Sequence, residues 1–397
     1  MKIISIIGQG YVGLPLSIAA AESGYKVIGV DVNQDIVNQI NSGSTNVEGI
    51  DSISLKKLIK NGSYSATTDF SQIKESSIIL ICVPTPLQNC DKPDLSFLIS
   101  AVKNVGKYLS KESLVVIEST VAPGTTKGVV VPILEKESNL KVNDFYVAYS
   151  PERIDPQNKQ WNVNNTPKLV AGLTKDACFK AIDFYSKFID KIIECKSIEV
   201  VEMAKLLENS FRLINISFIN EISVICQKLE IGVIDVIDAA ATKPYGFMPF
   251  YPSIGVGGHC IPVDPIYLAD KAREIGAPTR FIDLASEINQ DMPGYFVNRT
   301  EERFGNLKGK KVLVLGVSYK PNVADVRETP VEALIFSLKE KGARVSWHDD
   351  LVKEWKGDKS VDLSSDFDIA ILATPHEYLD LSALGEVPIL NTRGNYQ

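Results

Sequence analysis

Short apolar runs alternate with amphipathic stretches from the start of the chain. The runs Ile3–Ile7, Lys26–Val30, Ser77–Val83, Leu114–Glu118 and Phe145–Tyr149 are apolar at most positions. That is the pattern of strands buried on both faces of a parallel sheet. Helical periodicity fills the intervals, as in Leu14 to Ser23 and Leu95 to Leu109. Roughly the first 150 residues therefore predict a doubly wound α/β sheet with helices on both faces.

From Ile198 to Lys228 apolar residues recur at helical spacing with no proline or glycine. A helix of that length runs about 45 Å, longer than a small domain is wide, so it bridges domains or forms a subunit interface. Helical stretches follow at Ile234 to Ala241, Ile266 to Ile275 and Phe281 to Gln290. After Gly309 the α/β pattern resumes, with strands at Lys311–Val317, Ala343–His348, Asp368–Ala373 and Val387–Leu390 and a helix at Pro330–Lys341. The architecture of the first region recurs there, but its sequence does not. Arg303–Lys310, charged and containing glycine, is the linker candidate. The expected fold class is α/β, with two Rossmann-like parallel-sheet domains joined by a long helix and an all-helical middle domain. The expected boundaries are 1–195, 196–303 and 304–397.

Composition narrows the function more than the fold. The 397 residues suffice for about two to three domains. A 45% hydrophobic and 23% charged content is that of a globular protein. The net charge of −7 argues against a nucleic-acid or anionic-membrane partner, although helix N-termini and a few local cations still admit an anionic ligand. Ile3–Ile7 is too short for a signal-peptide core, and no stretch approaches the roughly 18 apolar residues of a membrane span, so a cytoplasmic location is expected. Cys82, Cys90, Cys178, Cys195, Cys226 and Cys260 are scattered without a C-x-x-C pair, and there are only three histidines. Reduced thiols and no metal site are expected.

Gly8-x-Gly10-x-x-Gly13 follows one predicted strand and opens a helix, and it includes Tyr11 and Val12. Those glycines suit a tight turn, close approach to a pyrophosphate and close helix packing. Asp31 ends the next strand, placed to accept from a ribose diol, and Val32 and Asn33 bring no cation for a 2′-phosphate. NAD is the expected cofactor. Thr85, in Val83-Pro84-Thr85-Pro86, and Thr120, in Ser119-Thr120-Val121, follow later strands; they line the cofactor crevice or act as ordinary caps. Ser150-Pro151-Glu152-Arg153 is a third such loop, which either faces the crevice or carries a solvated ion pair.

Lys205, Asn209 and Arg212 fall at i, i+4 and i+7 on the long helix, a polar stripe in an apolar setting, with Glu202 spaced to pair with Lys205. Gly255-Val256-Gly257-Gly258-His259-Cys260-Ile261-Pro262-Val263-Asp264 is the most informative segment. Its glycines read as a loop pressed against a ligand with a thiol at its end, since a buried structural cysteine needs no such loop. Lys205 would supply positive charge, Asp264 would orient water or move a proton, and His259 would act as a general base or, pointing away from the thiol, shape a pocket. Lys320 in Tyr319-Lys320-Pro321 and Arg327 before the Thr329-Pro330 helix start would hold a diphosphate, or form structural turns.

Taken in order, these segments resemble the UDP-glucose/UDP-mannuronate dehydrogenase superfamily over essentially the whole chain. The strongest matches are the glycine fingerprint, Glu118-Ser119-Thr120-Val121, Ser150-Pro151-Glu152-Arg153, Glu202-Met203-x-Lys205-x-x-x-Asn209, Gly257-Gly258-His259-Cys260 and Tyr319-Lys320-Pro321. The resemblance implies an NAD domain, a helical middle that dimerises and a UDP-binding C-terminal domain, with homodimers or dimer-based oligomers. It makes Cys260 the nucleophile and gives Lys205 and Asn209 to the oxyanion, with Thr120, Glu152 and Asp264 managing protons and water. It places Lys320 and Arg327 near the UDP or the subunit junction.

Glu208-Asn209-Ser210-Phe211-Arg212 and Tyr245-Gly246-Phe247-Met248-Pro249-Phe250-Tyr251-Pro252 are similar to the UDP-N-acetylhexosamine 6-dehydrogenase branch. Ser150 to Pro156 leans toward UDP-N-acetylglucosamine, with Glu152, Arg153, Lys205, Asn209, Arg212, Tyr251, Gly257, His259 and Lys320 on the substrate. Gln157 and Ser253 depart from the branch, where glycines are usual, and leave the sugar epimer open. UDP-N-acetylmannosamine and UDP-glucose are the alternatives. The implied reaction oxidises a C6 alcohol to a carboxylate in two steps. A β-hydroxyacid type dehydrogenase is the enzymatic rival, and a silent nucleotide-sugar binder the rival of another class.

Overall fold

The computed structural model describes residues 2–47, 49–88, 92–154, 158 and 160–393. Cys90, Asp155, Pro156 and Gln157 lie outside them. The chain forms two compact units, Met1–Leu207 and Glu208–Gln397.

In the first unit eight strands form one sheet: β1 Ile3–Ile7, β2 Lys26–Val30, β3 Tyr64–Thr67, β4 Ile78–Ile81, β5 Leu114–Ile117, β6 Tyr146–Tyr149, β7 Lys168–Gly172 and β8 Ile192–Glu194. Their order is β8-β7-β6-β5-β4-β1-β2-β3. The run β3-β2-β1-β4-β5-β6 is the doubly wound arrangement, in which the direction of winding reverses between β1 and β4. One departure from the expected parallel sheet occurs where β7 pairs antiparallel to β6, with Tyr149 opposite Ala171. Helices α1 Gly13–Glu22, α2 Gln34–Asn41, α3 Ser52–Lys60, α4 Ser96–Tyr108, α5 Val131–Ser138 and α6 Lys175–Tyr185 complete the layers. Ile4, Ile6, Leu80 and Val116 pack into one core, and Ile7, Ile79, Ile81 and Val115 into the other. The apolar runs follow from this, since each strand has a hydrophobic layer on both faces.

Helix α7, Ile198–Lys228, matches its expected span and carries the division between the units. The second unit continues with α8 Val233–Ala241, α9 Asp264–Glu274 and α10 Phe281–Phe304. Helix α10 runs well past the expected end at Gln290, through Pro293 and into the expected linker. The proline forfeits one intrahelical hydrogen bond, but Met292, Phe296 and Val297 bury the same face on both sides of it. Packing thus overrides the local break. Four parallel strands follow, β9 Lys311–Leu315, β10 Arg344–His348, β11 Ile369–Leu372 and β12 Ile389–Asn391, in the order β10-β9-β11-β12, with helix α11 Val331–Glu340. Among the described residues no helix is long and apolar enough to cross a membrane.

Candidate active site

The three fingerprint glycines are required for three different reasons. Gly8 sits at φ +88°, and a Cβ there would lie 2.7 Å from the Cys82 carbonyl at the end of β4. A Cβ on Gly13 would lie 1.8 Å from the Gly8 carbonyl, so only glycine lets α1 start this close to β1. A Cβ on Gly10 would meet nothing within 4 Å. The protein leaves that side open, as backbone approach by a pyrophosphate requires. Asp31 accepts from Gln9 N at 2.8 Å and Asn33 N at 2.9 Å, one bond on each carboxylate oxygen, leaving lone pairs on both for a ribose diol. Val32 beside it is 80% exposed and apolar. These residues fit NAD, and no cation on this loop suits a 2′-phosphate.

The neighbouring strand ends are tied together. Ser119 Oγ donates to Val83 O at 2.6 Å, and Thr85 Oγ1 donates to Thr120 O at 2.9 Å. The Thr85 proton is thus spent on joining two crevice loops. Glu152 turns back on its own loop, accepting from Arg153 N at 2.6 Å and Ile154 N at 2.8 Å, and Arg153 Nη1 donates to Pro167 O at 2.6 Å. Beneath these loops lies a buried cluster absent from the sequence reading as a functional group. Lys168 Nζ donates to Glu118 at 2.8 Å and lies 3.4 Å from Pro151 O, while the Tyr185 hydroxyl donates to the other Glu118 oxygen. Burial pushes the Glu118 carboxyl up to about 7, against the pull of Lys168.

Glu202 does not pair with Lys205 as its spacing suggested. Fully buried, it accepts from Gly124 N at 2.6 Å and Thr126 N at 2.9 Å, capping the turn that follows the Thr120 loop. Those amides are orphan donors at a helix start and out-compete a side chain one turn away. Lys205 is 8% exposed and has no hydrogen bond or ion pair among the described residues. Lys168, equally buried, is fully paired. An ammonium desolvated without a protein acceptor is costly unless a ligand supplies one.

In the second unit Cys260 is exposed, just before α9. Its carbonyl accepts from Asp264 N at 2.8 Å. Asp264 is 3% exposed and accepts from the Asn209 amide. The glycines before the thiol are pressed against protein rather than against open space. A Cβ on Gly257 would lie 2.4 Å from Glu328 O, and one on Gly258, at φ +83°, would lie 2.9 Å from the Tyr319 ring. Asn220 Oδ1 accepts from Ser253 N at 2.8 Å, and Asn289 Oδ1 accepts from Val256 N at 2.6 Å, so α7 and α10 hold the loop from two sides. Neither asparagine stood out in sequence, because each looks like any polar residue on a helix. Burial holds the His259 imidazole below its usual value, and the Arg327 charge adds to this. Arg327 itself is bidentate to Asp325. Lys320 is half-buried, while Arg212 and Tyr251 are exposed.

The β9–β11 edge repeats the geometry of the first unit. Gly316 at φ +78° follows β9, and a Cβ there would lie 2.1 Å from Thr374 O after β11. Asp349 after β10 accepts from Val317 N at 2.8 Å and Leu351 N at 3.0 Å, as Asp31 does from Gln9 and Asn33. Unlike Asp31, it is fully buried, and His376 Nε2 sits 3.1 Å from its carboxylate.

Comparison with known proteins agrees with this arrangement. Residues 1–189 match the NAD binding domain of the UDP-glucose/GDP-mannose dehydrogenase family, residues 199–291 its central domain and residues 313–392 its UDP binding domain. The chain is similar to a UDP-N-acetyl-D-glucosamine 6-dehydrogenase of Pseudomonas aeruginosa, 36% identical over 87% of this chain and 82% of that protein. It is similar to a UDP-N-acetyl-D-mannosamine dehydrogenase of Methanococcus vannielii, 35% identical over 88% of this chain and 80% of that one. The solved UDP-D-ManNAc dehydrogenase of Pyrococcus horikoshii superposes with a TM-score of 0.91 at 30% identity, covering 100% of this chain and 96% of that one. The chain belongs to the UDP-glucose/GDP-mannose dehydrogenase family and is an NAD-dependent UDP-sugar 6-dehydrogenase.

Proposed function

We propose that the substrate is UDP-N-acetyl-D-glucosamine, oxidised at C6 to the uronate by way of a covalent bond to Cys260. The observation that carries the chemistry is the exposed Cys260 thiol four residues ahead of Asp264, a buried carboxylate that Asn209 holds in place. NAD⁺ serves as the hydride acceptor in each of two oxidations. The thiol adds to the C6 aldehyde to give a thiohemiacetal, which retains the aldehyde between the two oxidations. Loss of its hydride gives a thioester, which water cleaves to carboxylate and free thiol. Lys205, desolvated and without an acceptor among the described residues, and Asn209, one turn along α7, stabilise the oxygen on which charge develops. Thr120, Glu152 and Asp264 handle the protons and the attacking water.

On this reading Gly8, Gly10, Tyr11, Val12, Gly13, Asp31, Thr85 and Thr120 serve NAD, with Lys320 and Arg327 near the nucleotide diphosphate. Arg153, Arg212, Tyr251, Gly257 and His259 line the sugar nucleotide. The three matched regions act as cofactor, central and UDP domains. The acetamido epimer rests on the sequence Ser150 to Pro156 and on relatives carrying the UDP-N-acetyl-D-glucosamine name at 36% and 35% identity. Relatives named for the mannosamine epimer at 35% support that sugar as the second reading. A homodimer through α7 is proposed because Leu207, Phe211, Phe218 and Ile225, spaced by four and then sevens, are exposed on it. The deciding experiment counts NADH formed per UDP-sugar consumed, for each epimer and for UDP-glucose. Two NADH with the glucosamine epimer preferred bears the proposal out; one NADH removes the covalent thiol.

A further inference from the structure

The His376–Asp349 pair lies outside every role assigned above. Both side chains are fully buried, at the edge of the second sheet where β9, β10 and β11 end. Asn322 N donates to His376 Nδ1 at 3.0 Å, so that nitrogen carries no proton, and the ring's single proton sits on Nε2, facing Asp349 Oδ2. The Tyr378 hydroxyl lies 3.2 Å from the same Nδ1, and its ring stacks on the imidazole at a centroid distance of 5.3 Å. Asn322 returns the contact, accepting from Glu377 N at 2.9 Å through its side chain. It does so at φ +65°, a left-handed conformation that a non-glycine residue keeps only when its surroundings fix it.

The loop held this way runs from Val317 to Asn322. Its near end is fixed by Asp349 through Val317 N, and its far end by His376 through Asn322 N. Between these anchors stand Tyr319 and Lys320. The Tyr319 ring fills the space that Gly258 leaves open and its Cβ lies beside Gly257, and Cys260 follows two residues after Gly258. Asp349 and His376 therefore join the loop bearing Lys320 to the loop bearing the thiol, all within the second unit.

We propose that His376 is a positioning residue: through its Nδ1 acceptor it fixes the Tyr319–Asn322 loop, and so sets both the nucleotide contact at Lys320 and the pose of the Cys260 loop. The part concerning Lys320 rests on the functional reading above; the part concerning Cys260 does not.

The two polar atoms of the ring can be tested separately. His376→Asn keeps an acceptor near the Nδ1 position, His376→Gln keeps a donor near the Nε2 position, and His376→Phe keeps neither. The readouts on the full chain are KM and kcat for the UDP-sugar, KM for NAD, and the rate at which iodoacetamide alkylates Cys260, read by peptide mass spectrometry. A loop displaced by about 1 Å costs roughly 10- to 100-fold in kcat/KM, so H376Q and H376F should lose that much with the UDP-sugar while KM for NAD holds. H376N should stay within about threefold, and alkylation of Cys260 should change by more than that in H376Q and H376F only. Wild-type behaviour in H376Q, or equal impairment of H376N and H376Q, overturns the proposal. If H376F does not fold, the Asn–Gln pair decides alone. Alkylation needs no substrate, so a wild-type enzyme that turns over no UDP-sugar defeats the functional reading and leaves the clasp to be judged by the thiol.

Discussion

Replacing Lys168 by methionine should cost stability in a way that depends on pH. The ammonium is 6% exposed, 2.8 Å from a carboxylate with no exposure at all. Methionine fills the stem's volume but leaves Glu118, among the described residues, with the Tyr185 hydroxyl as its hydrogen-bond partner. Breaking a buried pair from one side costs about 3–5 kcal/mol when the survivor stays charged. With Lys168 in place its folded value is about 7, raised from 4.5 by burial, and removing Lys168 moves it further up. An acid whose folded value lies above its unfolded one contributes stability below the unfolded value. That contribution is lost as pH rises through the folded value. At about pH 6 the folded carboxyl is mostly protonated in wild type and variant, and K168M should cost about 1–2 kcal/mol, the worth of a lost hydrogen bond. At about pH 8.5 wild type holds an ion pair and the variant cannot, so the full cost appears. Urea melts at the two pH values, with hydrogen exchange followed in the β5 and β7 segments, measure the difference. Equal costs at both, or under about 1 kcal/mol at the higher, would refute the argument.

Gly13→Ala should fail to fold stably, because its Cβ would sit 1.8 Å from a carbonyl, whereas Gly10→Ala should melt like wild type and lose NAD affinity; thermal melts beside NAD titrations separate them. Glu118→Gln, which needs no buried charge, should gain on wild type as pH rises from 4.5 to about 7, and a gain on acidification instead would reverse the sign assigned to this group. Asn289→Ala removes the acceptor of Val256 N, and should lower kcat about tenfold or more with KM for NAD unchanged, as steady-state kinetics would show. Cys260→Ser should stop short of free uronate, as seen by product chromatography; steady turnover to uronate would remove the covalent role.

Much of this protein was legible along the chain because its information is local. Strands buried on both faces must be apolar throughout, so β1, β2, β4, β5 and β6 announced themselves, and α7 did so by its unbroken helical period. The glycine fingerprint was legible because each glycine answers a steric demand within one turn. The half-polar edge strand β3 was not, since one face of it has no layer to match. Helix α10 runs beyond the expected Gln290, through Pro293, because apolar packing on both sides of the proline holds it. What only the tertiary structure decided is who partners whom. Glu202 sits one helical turn from Lys205, yet bonds to amides more than seventy residues away. Lys168 reaches fifty residues back to Glu118, and the glycines before Cys260 accommodate Tyr319 from a later loop. Residue type and spacing fix which bonds a side chain is able to make; burial and distance across the fold select the one it makes.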